Sequence, residues 1–218
     1  MSSFKSKAKA NIVIIGAGQL GILVSNIIKR QNMFNIIGFI DNDKNKKNKL
    51  VNTFKVLGTE HYLLKKKNLN IVIALGNIKK RGIIIKKLVN RNFKFPAIID
   101  PSSRIEKGVK IGKGSIVCVA SNILHSTEIG EFAIIGTAVN VLHNVRVENN
   151  CIIGGGSTIG SNVHIQKNVL VGVGVIFAAE KIKIKENSII CSGSVVLNTI
   201  ETPSKMIGNP AKAIPFKF

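Results

Sequence analysis

Two hydrophobic rhythms divide the chain. In the first, short apolar runs alternate with stretches of helical spacing. Residues 11–15 form a buried-strand run that stops at Gly16. Residues 19–30 place Leu20, Leu23, Val24, Ile27 and Ile28 on one helical face. A second strand is expected at 36–40, a short helix at 60–66, a third strand at 71–75 and a helix at 79–89. A fourth strand is expected at 97–99. Strands alternating with helices imply parallel βαβ units in a small three-layer sheet. Residues 41–53 are polar and Lys-rich and read as a mobile loop.

The second rhythm begins near Pro96–Pro101. Every sixth residue from Ile105 to Val171 is Ile or Val. A short fixed period over so long a stretch is the signature of a solenoid. Three flat faces of six residues make an 18-residue coil, so Ile105 should stack on Ile123, Val141 and Ile159 in a narrow bore. The frame slips by one residue through 177–181 and resumes at Ile184, Ile190 and Val196. Gly often follows the inward aliphatic, where a corner without a Cβ is expected. The fold class is therefore an α/β Rossmann-like domain over 1–97, then an all-β parallel β-helix over 98–218.

Composition narrows the function. Hydrophobic residues make up 45% of the 218 and charged residues 20%, which excludes a disordered polycation. The net charge is +21, and +17 of it falls in residues 1–97. That excess suits an anionic partner, and it equally fits a genome rich in Lys, Asn and Ile codons. With one Tyr and no Trp, aromatic stacking of nucleic acid is not expected. Three cysteines without a CxxC speak against a disulfide framework and against a metal site. No apolar run is long enough to span a membrane. The leading stretch with Lys5, Lys7 and Lys9 lacks a signal-peptide core. A reducing, cytoplasmic location is expected.

Gly16-Ala17-Gly18-Gln19-Leu20-Gly21 follows a strand and opens a helix, the context a G-x-G-x-x-G phosphate loop needs. Asp41 lies 20 residues past Gly21, where an acid can accept a ribose or base hydrogen bond. Only about four strands fit in this half, fewer than a full dinucleotide fold requires.

The order of these features resembles the NeuD/PglD-like sugar O-/N-acetyltransferases. The resemblance rests on the Gly-rich turn, Gly38-Phe39-Ile40-Asp41, Ala74-Leu75-Gly76-Asn77, the [Ile/Leu/Val]-Gly-x₄ repeats and the closing Gly208-Asn209-Pro210-Ala211-Lys212. It covers nearly the whole chain. It implies a left-handed β-helix, a homotrimer, acetyl-CoA as acyl donor without a metal, and a sugar or nucleotide-sugar substrate. Gly16, Gly18, Gly21, Asp41, Gly76 and Asn77 are then expected to line the nucleotide pocket. Backbone amides at Gly154, Gly155, Gly156, Gly172 and Gly174 are expected along acetyl-CoA, with Lys205 or Lys212 near its phosphates.

A β-helix acyltransferase needs a base near neutral pH, and imidazole suits that work. His125 and His143 are 18 residues apart, one coil above the other on an outward face. Local wording around Leu124–Phe132 resembles the family's catalytic segment and favours His125. Counting coils favours His143, whose run from Ile135 to Val145 parallels the same segment. His143 is the expected base, with Asn144 beside it where relatives carry an acid, and His125 the runner-up. Leu20 and Ile152 stand where relatives carry His; His61 and His164 read as surface residues. The activity implied is acetyl transfer to a nucleotide-linked amino sugar for a bacterial surface glycan. Sialic acid O-acetylation is the alternative, and a non-catalytic binding or scaffold protein on the same frame the second alternative.

Overall fold

A computed structural model describes residues 9–215; Lys5 and Lys7 of the leading stretch lie outside them. The first part is one six-stranded sheet: β1 (Ala10–Ile15), β2 (Phe34–Ile40), β3 (Leu50–Val51), β4 (Phe54–Gly58), β5 (Leu69–Ile73) and β6 (Phe93–Lys94). Their spatial order is β3-β4-β2-β1-β5-β6. All pairs are parallel except β3 with β4. In β1, Ile12 and Ile14 point to one side and Val13 and Ile15 to the other, and all four are buried. A parallel strand with both faces covered needs such a continuous apolar run.

Helix α1 (Gln19–Gln31) covers one side and α2 (Ile78–Leu88) the other. Helix α1 ends where Asn32 turns left-handed, at φ 58°, and its N–H caps Ile28 O. Helix α2 starts at Asn77, whose side chain accepts from Lys80 N at 2.9 Å.

Two expectations are corrected here. Residues 41–53 are not a featureless loop: they hold a 3₁₀ turn at Lys44–Lys46 and strand β3, hairpinned onto β4. Residues 97–99 do not extend the first sheet. Ile98–Ile99 pair with Ile116–Val117 and open the β-helix, while β4 and β6 supply the missing strands.

The β-helix has three flat faces of two-residue strands. The first carries Ile98–Ile99 and continues to Ile189–Ile190, then Lys205–Ile207 and the antiparallel Lys212–Ile214. The second runs from Arg104–Ile105 to Val195–Val196, and the third from Lys110–Ile111 to Lys183–Ile184. The 18-residue register holds from Ile98 as far as Phe177, with Ile105, Ile123, Val141 and Ile159 stacked in turn. Ile159 still pairs with Phe177, but His164 pairs with Lys183, so the extra residue lies between them, at a corner.

Corner chemistry differs from the expectation. From Ile105 to Val171 the residue three past each inward aliphatic is left-handed: Gly108, Gly114, Ala120, Ser126, Phe132, Ala138, and so on. Asn fills this place at 144, 150, 162, 168 and 187, because Asn tolerates positive φ. The Gly directly after the aliphatic has another cause. A Cβ on Gly154 would lie 2.4 Å from Gly172 C, and one on Gly172 2.5 Å from Ser192 N. Successive coils approach too closely for a side chain there. Buried hydroxyls bridge coils at other corners, as Ser115 Oγ donates to Gly130 O and accepts from Ala133 N.

The outward residues of the first face are apolar: Ile98, Ile116 and Ile134. They pack under α1 in one cluster with Ile12, Ile14, Val24, Ile27, Ile28 and Phe39. That face therefore welds the α/β part onto the β-helix. Arg30 at the end of α1 adds a bond from Nε to Asp100 Oδ2 at 2.9 Å in the first corner.

Candidate active site

The first candidate region is a cleft of about 500 Å³ at the carboxyl ends of β1, β2 and β5. This is where the sheet order reverses, the place a doubly wound sheet offers to ligands. Gly16, Asp41, Asn42, Leu75, Lys80, Ile83 and Lys87 are among its lining residues. Gly16 turns at φ +108°, and a Cβ there would sit 2.5 Å from Ala74 O. Gly21 is required by packing, since its Cβ would fall 1.9 Å from Gly16 O. Gly18 precedes α1 with open space around it and no side-chain cap, so no side chain of its own caps the first N–H groups of α1.

Asp41 is committed to the loop itself. Its Oδ2 accepts from Ala17 N at 3.0 Å and from Lys46 Nζ at 2.9 Å, and its Oδ1 accepts from Asp43 N at 3.0 Å. Burial pushes its carboxyl up, but the bonds from Asp43, Lys46 and Ala17 outweigh that and hold it below the ordinary value. The sequence reading made Asp41 a ligand acceptor. The structure also makes it the clasp between β2 and the Gly-rich turn. Gly76 has open space around it, whereas the Asn77 side chain is spent on capping α2.

The second region is the corner between the second and third faces. His125 and His143 stand one coil apart with parallel rings, centroids 5.5 Å apart and planes 5° off. His125 is exposed and His143 half-buried. The His143 ring is held at both nitrogens. Nδ1 lies 3.2 Å from Asn144 Nδ2, and Nε2 lies 3.0 Å from Ser161 Oγ. Asn144 also donates to Asn162 Oδ1 at 3.3 Å. His125 has only Ser126 Oγ, 3.3 Å from its Nδ1. Sequence reasoning missed Ser161; its one signal was its place 18 residues past His143.

The third region is the corner between the first and second faces. It carries Gly154–Gly156 and Gly172–Gly174, so it is a different edge from that of His143. Gly156 and Gly174 are left-handed corner residues with open space. Val173 between the two glycines is 62% exposed and Ile176 beside it 43% exposed. Lys205 lies at the end of the first face and Lys212 on the last strand. One chain does not bring this edge together with His143.

Other groups are less suited to chemistry. Burial pushes the Cys118 and Cys151 thiols up to about 12, which leaves them inert. His164 is more than a surface residue: its Nε2 lies 2.7 Å from Glu148 Oε1. Ile152 packs against the interdomain cluster. Among the described residues no three His, Cys, Asp or Glu side chains gather as metal ligands would, and no helix is long and apolar enough to cross a membrane.

Residues 11–88 match the PglD N-terminal domain. Residues 126–161 match the bacterial transferase hexapeptide, six repeats. No curated protein is significantly similar in sequence. Among solved structures, PerB from Caulobacter crescentus in complex with CoA and GDP-perosamine is 25% identical with a TM-score of 0.87. That match covers 96% of this chain and 100% of PerB. The acetyltransferase domain of PglB from Neisseria gonorrhoeae, in complex with acetyl coenzyme A, is 23% identical over 95% of this chain and 100% of its own, with the same TM-score. WeeI from Acinetobacter baumannii shares the fold at 21% identity and a TM-score of 0.84, over 94% of this chain and 100% of its own. The chain thus joins a PglD N-terminal domain to bacterial transferase hexapeptide repeats, and along nearly its whole length it is similar to the NeuD/PglD-like sugar acetyltransferases of the β-helix fold.

Proposed function

We propose that this protein is an acetyl-CoA-dependent acetyltransferase whose acceptor is the amine of a nucleotide-linked amino sugar, made for a bacterial surface glycan. The observation that carries the reading is His143, held at both ring nitrogens on a β-helix corner. The cleft at the Gly-rich turn takes the nucleotide, with its phosphates toward α1 and Lys80 and Lys87 at the rim. His143 receives the proton as the amine attacks the thioester carbonyl. A backbone N–H of the β-helix stabilises the oxyanion of the tetrahedral intermediate. CoA sulfur leaves and is protonated by His143.

Acetyl-CoA runs along the glycine edge, where small residues let pantetheine approach the backbone and Val173 and Ile176 offer apolar surface. Because that edge and His143 sit on different corners, donor and base meet only between two copies of the chain. A trimer with its sites at the seams satisfies that need. The known ligands of PerB, CoA and GDP-perosamine, favour an amine acceptor over a sialic acid hydroxyl.

The test is thiol release from acetyl-CoA with a panel of UDP-, GDP- and CMP-linked amino sugars and free sialic acid. Wild type, His143→Ala and His125→Ala are compared. Loss of roughly 10²–10⁴ in rate confined to His143→Ala supports the reading. Equal rates in all three proteins, or no turnover with any acceptor, overturn it.

A further inference from the structure

The column of corner side chains that holds His125 and His143 continues to Ser161, whose Oγ lies 3.0 Å from His143 Nε2. Ser161 is only 7% exposed, so bulk water competes little for its hydroxyl. An imidazole nitrogen has a single in-plane direction along which it gives or takes a proton. At Nδ1 that direction is taken by Asn144 and at Nε2 by Ser161. A proton bound for Nε2 therefore meets the Ser161 oxygen first. A hydroxyl is suited to this place because it donates and accepts at once. Asn144 is neutral and cannot stabilise imidazolium by charge as a carboxylate would.

We propose that Ser161 relays the acceptor's proton to His143. The inference rests on the acetyltransferase reading above and adds a residue to it. As the acceptor nitrogen bonds to the thioester carbonyl carbon, its N–H proton passes to Ser161 Oγ. The proton already on Oγ passes to His143 Nε2. Ser161 ends with the hydroxyl it began with, and His143 ends as imidazolium. The C–S bond then breaks, and the CoA thiolate takes the proton from His143 back through the same hydroxyl. With Nε2 as the receiving nitrogen, Nδ1 holds its own proton against the Asn144 amide oxygen, an orientation reached when the amides of Asn144 and Asn162 turn over together, so that Asn162 then donates to Asn144.

The experiment measures kcat, KM and the proton inventory in mixed H₂O and D₂O on the full-length protein, with the acceptor that turns over best in the nucleotide-sugar panel. Wild type, Ser161→Ala, Ser161→Thr and His143→Ala are compared. For Ser161→Ala a fall in kcat of roughly tenfold to a hundredfold is expected, with KM for acetyl-CoA unchanged. The curved inventory of the wild type, two protons in flight, becomes linear. Ser161→Thr keeps a hydroxyl and restores both rate and curvature, which a loss of packing would not allow. Full activity in Ser161→Ala, or a linear inventory in the wild type, overturns the relay while leaving His143 as base. A wild type inactive with every acceptor overturns the acetyltransferase reading and the relay with it.

Discussion

Arg81 on α2 donates through Nη1 to Asn150 Oδ1 at 3.3 Å, across the seam between the α/β part and the β-helix. The guanidinium is fully buried, its Nε and Nη2 have no partner, and burial lowers its pKa to about 10. A buried charge so thinly partnered costs stability, while removing its one acceptor costs more. Arg81→Met should leave stability unchanged or raise it by about 1 kcal/mol. Asn150→Ala should lower it by about 3 kcal/mol, since it also strains a left-handed corner. Urea unfolding of both variants checks the pair, and a large loss in Arg81→Met would show that the seam depends on the charge.

The glycines of the third region separate packing from binding. Gly172→Ala drives a Cβ into the next coil and should cost about 2 kcal/mol or more. Gly156→Asn enters open space at a corner where Asn recurs, and should keep the melting temperature. If acetyl-CoA runs along this edge, Gly156→Asn still weakens it at least tenfold. Calorimetric titration with CoA beside a thermal melt reads the two effects apart.

Asn144→Asp places a carboxylate where the amide now meets His143 Nδ1. Asp also accepts a positive φ, so folding should be unaffected. The added charge favours imidazolium. The acid limb of the rate–pH profile of the variant should then move to higher pH. A profile that stays put would separate Asn144 from the proton transfer.

Asp100 is the buried carboxylate of the first corner. Burial pushes its pKa up, but bonds from Ser102 and Arg30 outweigh that and hold it below its ordinary 3.8. A depressed acid contributes stability that is present above the unfolded value and disappears as pH falls through the folded one. Wild type should therefore weaken below about pH 4, and Asp100→Asn should show a shallower acid loss. Unfolding midpoints between pH 3 and 6 decide this; parallel curves would count against it.

Much of the architecture was legible because it is periodic. The sixfold aliphatic rhythm gave coil length, register and the place of the slip, since each Ile or Val has one inward position to fill. The reason for the corner glycines was not legible: their cause is the neighbouring coil, a contact 18 residues away, and the left-handed φ falls two residues later. Residues 97–99 look the same in sequence whether they join one parallel sheet or another. Asp41 was found by its distance from Gly21, but its clasp on Ala17 needed the folded loop. Ser161 is an ordinary hydroxyl in sequence and gains meaning only under the His143 ring.

The stacked histidines also give the molecule a vertical scale. Each coil adds one strand spacing, about 4.8 Å, along the solenoid axis. The α/β part is fixed to one face, so the cleft keeps its height against that axis. A base at 125 and a base at 143 therefore stand one rung apart on that axis. Acceptors that differ in length by roughly one sugar-ring width can be matched by exchanging side chains between rungs, with the backbone untouched.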